Sequence, residues 1–447
     1  MEIGAWSTQL EGEHHPLLRD PKTNLIARSE FMGLDAQVRL ADGSRRQAVN
    51  FDSAATTPAL SCVVDEILAQ LPFYGSIGRG KGQKSTCSTE VFEDARAVVL
   101  GFLSAPADEY SCFFSGTTTE ALNKLAGALI ESPDDVVLVT RSEHHANDLP
   151  WRERAKMRYV EVDELGRLRM DEFAEHLADG KVKVVSVQAA SNVTGYVHDV
   201  HAIARMAHAA GAIMVVDGAQ IAAHRAFSMK GASPEEDIDL FALSAHKMYA
   251  PFGGGAVVGK TALLDAHVPR YRGGGMVDVV SDYDCTWLGA PELYEAGSPN
   301  FVGQVALARA ITALEEVGFE AIQAHEQVLL RKALDGLAAI DGVRLYADSE
   351  NISDRVGVLT FNVDGVDAAE LAARLADDHA IAVRQGEFCA HPLCHRLLGI
   401  SDDDIVAGMR TPGFVPPAMV RVSFGMYSTE DEVDQLIEAV AQIAGRA

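Results

Sequence analysis

The sequence predicts an α/β protein with a large, mostly parallel sheet and a smaller α+β domain at its C-terminal end. Three observations support this: continuously apolar runs, a helical pattern between two of them, and a second set of strands and helices after residue 340. Strands of a parallel sheet covered by helices on both faces are apolar throughout, without the alternation of a half-exposed strand. The length of 447 residues fits two or three domains.

The composition is that of a globular protein with an acidic surface. Apolar residues make up 48% and charged residues 23%, which excludes a mainly disordered chain. The 38 basic and 64 acidic side chains give a net charge of −26. Nucleic-acid binding through phosphate neutralisation needs a basic face, and anionic lipid repels an acidic one, so we expect neither partner.

Targeting and cysteine patterns predict a cytoplasmic protein. The first residues show no basic segment followed by an apolar core, and no run reaches 18 apolar residues, so we expect neither a signal peptide nor a membrane span. Six scattered cysteines in a long chain do not form a disulfide framework, which favours a reducing compartment.

The predicted elements divide the chain into an N-terminal arm at 1–48, a large domain at 49–300, a linking helix at 301–330 and a small domain at 331–447. Strands are expected at 136–140, 182–187, 212–216 and 240–243 in the large domain and at 356–361 and 419–424 in the small one. Helices are expected at 198–210, 305–317, 321–340, 366–377 and 430–445.

Asp217 and Lys247 are the most informative pair of polar residues. Asp217 ends one apolar strand and Lys247 follows another in Ser244-Ala245-His246-Lys247, and ligands of parallel sheets bind beyond the carboxyl ends of the strands. A lysine there is a candidate for Schiff-base chemistry, and a carboxylate suits a pyridinium nitrogen. An ion pair at the sheet edge is the alternative.

Two glycine-containing segments suggest anion binding. Ser115-Gly116-Thr117-Thr118-Thr119-Glu120 precedes a helix and predicts either a phosphate cradle or an ordinary helix cap. Residues 75–81 almost match a nucleotide-binding loop, but Gly82 stands where a magnesium-binding hydroxyl is needed. We interpret this segment as a loop whose Arg79 enters a site.

A third candidate region carries a thiol. Cys389 lies in a loop with Arg384 and His391, which would lower its pKa from about 8.5 and make it nucleophilic. An inert apolar cysteine is the alternative, and the cramped cysteine and histidine spacing argues against zinc. An imidazole at His144 could stack on a planar cofactor or carry protons.

Together these segments resemble the class V branch of pyridoxal-phosphate enzymes, in the cysteine desulfurase and selenocysteine lyase group nearest the SufS type. The resemblance runs from about Asn50 to the C-terminus. The matching segments occur in the family's order: Phe51-Asp52-Ser53-Ala54-Ala55-Thr56, Glu143-His144-His145-Ala146-Asn147, Ser191-Asn192-Val193-Thr194-Gly195, Asp217-Gly218-Ala219-Gln220, Ser244-Ala245-His246-Lys247, Gly273-Gly274-Gly275-Met276, Glu295-Ala296-Gly297-Ser298-Pro299-Asn300 and Arg421-Val422-Ser423-Phe424.

The resemblance implies fold type I with a seven-stranded sheet, a homodimer with a shared active site, and pyridoxal 5′-phosphate as cofactor. Lys247 would bind the cofactor covalently and move protons, Asp217 would hold the pyridine nitrogen, Gln220 would bond the ring hydroxyl, and His144 would stack on the ring. The remaining implied residues hold the phosphate (Thr118, Thr119, Ser244 and His246, with Gly297 and Ser298 from the other subunit) or the substrate (Asn192, Arg421, Arg384 and Arg79).

The implied reaction removes sulfur or selenium from a cysteine-type substrate, leaves alanine, and forms a persulfide on Cys389 for a possible sulfur-acceptor protein. Glu387-Phe388 stand where the family usually has two histidines, and a carboxylate near the thiol would oppose thiolate formation. The alternative is C–S lyase, epimerase or aminotransferase chemistry on another amino acid, without a catalytic cysteine.

Overall fold

The computed structural model describes residues 17–78 and 80–445. In these ranges it contains thirteen α-helices: α1 Ser61–Gln70, α2 Gln83–Phe102, α3 Thr118–Leu129, α4 Leu149–Arg152, α5 Met170–Leu177, α6 Val200–Ala209, α7 Thr261–Asp265, α8 Phe301–Val317, α9 Phe319–Ala338, α10 Ala368–His379, α11 His391–Leu398, α12 Asp402–Met409 and α13 Glu430–Ala444.

The same ranges contain seventeen β-strands: β1 Gln37–Arg39, β2 Arg45–Gln47, β3 Val49–Asn50, β4 Tyr110–Ser115, β5 Val136–Thr140, β6 Lys156–Val160, β7 Val182–Gln188, β8 Ile213–Asp217, β9 Leu240–Ser244, β10 Gly255–Lys260, β11 Val277–Val280, β12 Cys285–Trp287, β13 Val343–Tyr346, β14 Val358–Val363, β15 Ile381–Ala382, β16 Arg384–Gly386 and β17 Met419–Ser423. No helix among the described residues is both long and apolar enough to cross a membrane.

The central sheet has seven strands in the order β4-β10-β9-β8-β7-β5-β6. Every neighbouring pair from β9 to β6 is parallel, and β10 runs against both of its neighbours. Along β5, Leu138 packs in one apolar core, while Val137 and Val139 pack in the core on the other face. Burial on both faces explains why these strands are apolar throughout, and the predicted mostly parallel α/β sheet is confirmed.

A second apolar core lies in the C-terminal part of the chain. The antiparallel sheet β13-β14-β17-β16 packs there with α9, α10 and α13. Val49 and Phe51, which the sequence division assigns to the large domain, also pack in this core, because β3 pairs with β15. The N-terminal segment thus returns to the C-terminal core.

The predicted linking helix at 301–330 is two helices, since α8 ends at Val317 and α9 begins at Phe319. Gly318 separates them with a φ of +86°, in the left-handed region that glycine adopts without a steric penalty. In the predicted arm, residues 17–48 include the β1–β2 hairpin, and residues 1–16 lie outside the described residues. The division into domains stays a prediction.

Candidate active site

A cavity of about 550 Å³ opens at the carboxyl ends of the central strands. Strands β4, β5, β7, β8 and β9 each end beside it, and β16 and β17 supply arginines from the second sheet. It brings together twelve of the predicted site residues: Thr118, Thr119, His144, Asn192, Asp217, Gln220, Ser244, His246, Lys247, Arg384, Cys389 and Arg421.

Lys247 lies in the short turn that follows β9. Burial lowers the pKa of its amine to about 8, although the Asp217 carboxylate acts in the opposite direction. A lysine amine is nucleophilic when neutral, and a pKa near 8 makes a substantial neutral fraction available close to neutral pH. The cavity therefore holds an amine suited to attack a carbonyl group.

Asp217 is the last residue of β8 and is buried. Its Oδ1 accepts the backbone N–H of Ala219 at 2.9 Å, and burial raises the pKa of the carboxyl above its usual range. The Asp217 side chain lines the cavity with Lys247. Such a carboxyl group suits a cationic partner, such as a protonated ring nitrogen.

The segment after β4 forms both a helix cap and a polar cradle. Thr117 caps α3 by accepting the Glu120 N–H at 3.1 Å, as one of the two sequence interpretations predicted. Thr118 contributes its backbone N–H and its hydroxyl, each 2.7 Å from Ser244 Oγ. Thr117 also lines the cavity and was not among the predicted site residues.

His144 lies in the loop after β5. Burial, followed by the positive charge of Lys247, lowers the pKa of this imidazole to about 3, so the ring is neutral at physiological pH. Its Nδ1 accepts the Ala146 N–H at 3.1 Å, which fixes the ring. A neutral, fixed imidazole in the cavity wall presents an aromatic face to a planar ligand.

The neighbouring Glu143 anchors this loop to the sheet. Its carboxyl group accepts from the Thr140 hydroxyl at 2.6 Å, the Asn147 amide at 2.7 Å and the Gln188 N–H at 2.8 Å. Burial raises the pKa of Glu143 to about 8 despite these donors. Its role is to hold the backbone from which His144 projects.

Arg421 and Arg384 lie side by side on β17 and β16 and share one carboxylate. Arg421 Nη2 lies 3.0 Å from Asp52 Oδ1, and Arg384 Nη2 lies 3.0 Å from Asp52 Oδ2. Arg421 Nη1 donates to the Asn192 carbonyl at 3.1 Å, and Nε has no partner among the described residues. This free, buried donor is available to an anionic ligand.

Cys389 lies in a tight loop between β16 and α11. Phe388 and Cys389 have φ angles of +50° and +55°, which non-glycine residues adopt at a cost of roughly 1 kcal/mol or more each. Three contacts stabilise this loop. The Asn192 side chain donates to the Phe388 carbonyl at 2.8 Å, and the His145 N–H donates to the Cys389 carbonyl at 2.7 Å. The Phe388 ring also lies 5.1 Å from the Arg421 guanidinium. Cys389 itself is exposed and lines the cavity.

The carboxylate expected to oppose the Cys389 thiolate is bound elsewhere. Glu387 Oε1 lies 2.5 Å from His395 Nε2, and Oε2 lies 3.4 Å from His391 Nδ1. Two imidazoles therefore face the carboxylate, and Glu387 is not among the residues that line the cavity. The sequence could not show this arrangement, because it depends on how α11 turns back on the loop.

Three predicted residues are not placed in the cavity. Gly297 and Ser298 are exposed and do not line it in this chain. Arg79 lies outside the described residues. Conversely, Asp52 pairs with two arginines of the site but was not among the predicted site residues. It could have been found from the sequence, because it lies in the family-matching segment Phe51-Asp52-Ser53.

The fold and the site define an α/β enzyme in which a half-buried lysine and a buried carboxylate line one cavity at the carboxyl edge of a mostly parallel sheet. The chain belongs to the class-V aminotransferase family, whose family model matches residues 49–436. The family resemblance stated from the sequence is thereby confirmed.

Curated relatives carry the name cysteine desulfurase. The chain is 36% identical over 408 residues to the cysteine desulfurase of Haloferax volcanii, covering 89% of this chain and 90% of the relative. It is 34% identical over 441 residues to the cysteine desulfurase of Dickeya dadantii, covering 96% and 97%.

Solved structures show the same similarity. The apo structure of the cysteine desulfurase from Thermococcus onnurineus has a TM-score of 0.80 at 30% identity, covering 90% of this chain and 95% of that one. The Escherichia coli cysteine desulfurase CsdA has a TM-score of 0.75 at 30% identity, covering 93% and 96%.

Proposed function

We propose that this chain is a pyridoxal-phosphate-dependent cysteine desulfurase that converts cysteine to alanine and takes the sulfur onto Cys389. The observation that carries the proposal is that Lys247, Arg421 and Cys389 line one cavity. A carbonyl-reactive amine, a carboxylate-binding arginine and a thiol are the three groups that this reaction needs from the protein. The names of the relatives support the same activity.

The residues present fit the cofactor. Two buried side-chain oxygens in the cavity wall, Gln220 Oε1 and Asn192 Oδ1, have no hydrogen-bond partner among the described residues, as expected of groups awaiting a polar ligand. Asp217 would hold the ring nitrogen and His144 would stack on the ring. Thr118, Ser244 and His246 would hold the phosphate group, with Thr119 beside them.

When bound, pyridoxal phosphate supplies an electron sink that stabilises negative charge at the substrate Cα. Arg421 would bind the substrate carboxylate through its free Nε, while its contacts with Asn192 and Asp52 fix the orientation of the guanidinium. Lys247 would carry the proton removed from Cα. Its pKa of about 8 suits a group that must both accept and release a proton.

Cys389 would act on the substrate sulfur. The Cys389 thiolate forms an S–S bond with that sulfur, and the C–S bond breaks with its electron pair going to the substrate Cβ. The proton of the substrate thiol passes to Cβ, which becomes the methyl group of alanine, and the terminal sulfur of the Cys389 persulfide carries the negative charge that the Cys389 thiolate brought. Because Cys389 is exposed, its persulfide would be accessible to an acceptor protein or thiol.

The test compares Cys389→Ala with Cys394→Ala, a buried cysteine on α11 whose thiol lies 3.4 Å from the Glu387 carbonyl. We expect Cys389→Ala to bind the cofactor normally and to lose alanine formation by roughly 10³-fold or more, the scale expected for a lost nucleophile. Cys394→Ala should keep most of the activity. Alanine and sulfide are measured in the absence of an added thiol acceptor.

Full desulfuration by Cys389→Ala would contradict the persulfide step. It would instead favour C–S lyase chemistry without a catalytic cysteine. Transamination or epimerisation of a different amino acid by the wild-type chain, with no alanine formed from cysteine, would contradict the proposed reaction as a whole. The homodimer with a shared site, the substrate contacts of Arg384 and Arg79, and the cytoplasmic location stay predictions.

A further inference from the structure

A buried row of three polar side chains leads from the cavity to α9. Gln220 lines the cavity, His224 follows it one short turn later, and Glu326 lies on α9. Gln220 Nε2 lies 3.2 Å from His224 Nε2, and His224 Nδ1 lies 2.5 Å from Glu326 Oε1. All three residues are more than nine-tenths buried, so bulk water does not compete for these hydrogen bonds.

Glu326 fixes the far end of this row. It also accepts the Gly357 N–H at 3.3 Å and lies 3.5 Å from an Arg225 nitrogen. The His224 ring is therefore held between the Gln220 amide and a carboxylate that is itself anchored to the backbone before β14.

The contact with His224 leaves one polar atom of the Gln220 amide for a ligand. The amide nitrogen lies against His224, and the amide oxygen is buried with no partner among the described residues. One end of the amide is thus held by the row, and the other is left to hydrogen-bond the ring oxygen of the cofactor.

We propose that His224 and Glu326 are positioning residues for the cofactor, which hold the Gln220 amide in place to hydrogen-bond the ring oxygen of the cofactor. This inference rests on the proposed function, which places the pyridoxal ring in this cavity. The same row of side chains connects the cofactor site to the second core, because Glu326 lies on α9 and accepts a hydrogen bond from the backbone just before β14.

The experiment compares the holoenzymes of His224→Phe and His201→Phe. Phenylalanine keeps a planar ring and removes both ring nitrogens. His201 is the matched control, since its Nδ1 bonds only the Glu236 carbonyl at 2.8 Å on α6 and it does not line the cavity. Glu326→Gln is a second variant, in which an amide of nearly the same size and shape replaces the Glu326 carboxylate.

Two readouts are used besides activity. One is the ratio of the two absorbance bands of the bound cofactor, which reports whether the ring oxygen is protonated. The other is the Kd of pyridoxal phosphate for the apo-protein. We expect His224→Phe to change the ratio and to weaken binding by roughly two- to tenfold, as for one lost hydrogen bond. Glu326→Gln should shift the ratio in the same direction, and His201→Phe should change neither readout.

A double variant separates positioning from general structural damage. If His224 acts through Gln220, adding His224→Phe to Gln220→Leu should cause no further shift of the band ratio. An unchanged ratio in His224→Phe, or an equal further shift in the Gln220→Leu background, would overturn the inference. Should His224→Phe not fold, Glu326→Gln decides by the same comparison. Alanine formation from cysteine is measured separately, so failure of the proposed function is recognised on its own.

Discussion

At the scale of single residues, Asp52 joins the two arginines of the site. Its carboxylate oxygens each lie 3.0 Å from one guanidinium, and it is 369 residues away from Arg421 in the chain. Arg421 is buried, and a buried guanidinium without a counter-ion is strongly destabilising. Asp52 thus permits a buried cation while leaving Arg421 Nε free.

Replacing Arg421 by lysine should raise the KM for cysteine by roughly 10- to 100-fold, because an ammonium group cannot pair with Asp52 and also place a donor at the position of Arg421 Nε. Arg384→Lys is the matched variant on the neighbouring strand. The Arg384 side chain is half exposed, so its ion pair is screened by water and the change should be smaller. Steady-state kinetics check both, and equal effects would contradict the assignment of Arg421 to the substrate carboxylate.

The pKa of Lys247 can be tested on the apo-protein. Burial lowers the pKa of this amine to about 8, and only the neutral amine attacks an aldehyde. The rate of covalent attachment of pyridoxal phosphate should therefore rise with pH and level off above about 8. Absorbance changes after rapid mixing measure this rate, and Lys247→Ala is the control. A midpoint near the ordinary lysine value of about 10.4 would contradict the effect of burial.

At the scale of elements, the segment 49–52 connects the beginning of the described chain to the second core. The Phe51 N–H donates to the Ala382 carbonyl, and the Phe51 carbonyl accepts the Ser423 N–H. Its ring is fully buried and packs edge-on against Phe424 at 5.4 Å. The same segment carries Asp52, so packing of Phe51 also places the carboxylate that pairs with the arginines.

Truncating Phe51 to alanine should therefore lower the free energy of unfolding by about 3–5 kcal/mol, the cost of a large cavity in a packed core. Denaturant unfolding of the apo-protein measures this. Leu68→Ala on α1 is the control, since Leu68 is 59% exposed and its truncation should cost little. A loss below about 1 kcal/mol for Phe51→Ala would show that the segment is not part of this core.

The loop that carries His144 should show a pH-dependent stability set by Glu143. Burial raises the pKa of Glu143 to about 8 in the folded protein, above the ordinary glutamate value of 4.5. The folded state then holds a proton that the unfolded state releases, so this group's contribution to stability falls as pH rises between about 5 and 8. Glu143→Gln should remove this part of the pH dependence, which unfolding curves at several pH values measure. An unchanged slope in Glu143→Gln would contradict a raised pKa.

At the scale of the whole molecule, the predicted homodimer accounts for Gly297 and Ser298. Both belong to a matching segment of the family, yet they are exposed and lie outside the cavity of their own chain. A twofold-related partner could bring the same segment to the phosphate end of the cavity, because a twofold interface is reciprocal.

Subunit exchange tests this prediction. Lys247→Ala and Ser298→Glu should each be nearly inactive alone, the second because its carboxylate would repel the cofactor phosphate. After mixing and exchange, about a quarter of wild-type activity should return, since half of the dimers are mixed and each has one intact site. Mixed dimers confirmed by mass but without recovered activity would contradict a shared site.

Local patterns were sufficient for the fold class and for the centre of the site. Apolar runs predicted β5, β7, β8 and β9, and Asp217 and Lys247 could be assigned because Asp217 ends one such run and Lys247 follows another within a few residues. The helical pattern also separated 305–317 from 321–340, and the structure places the break between them at Gly318. The Glu387 contacts were missed, since they require the folded path of α11.

By itself, the sequence determined the parallel α/β architecture, the family, and the polar residues at the ends of the central strands. These follow from periodicity and short motifs, which express local physical chemistry. Only the tertiary structure decided that Asp52 pairs with both arginines, that Glu387 is held by two histidines, and that Gln220 continues through His224 to Glu326. Such contacts join distant parts of the chain, and they form because a buried polar group must find a partner wherever the fold supplies one.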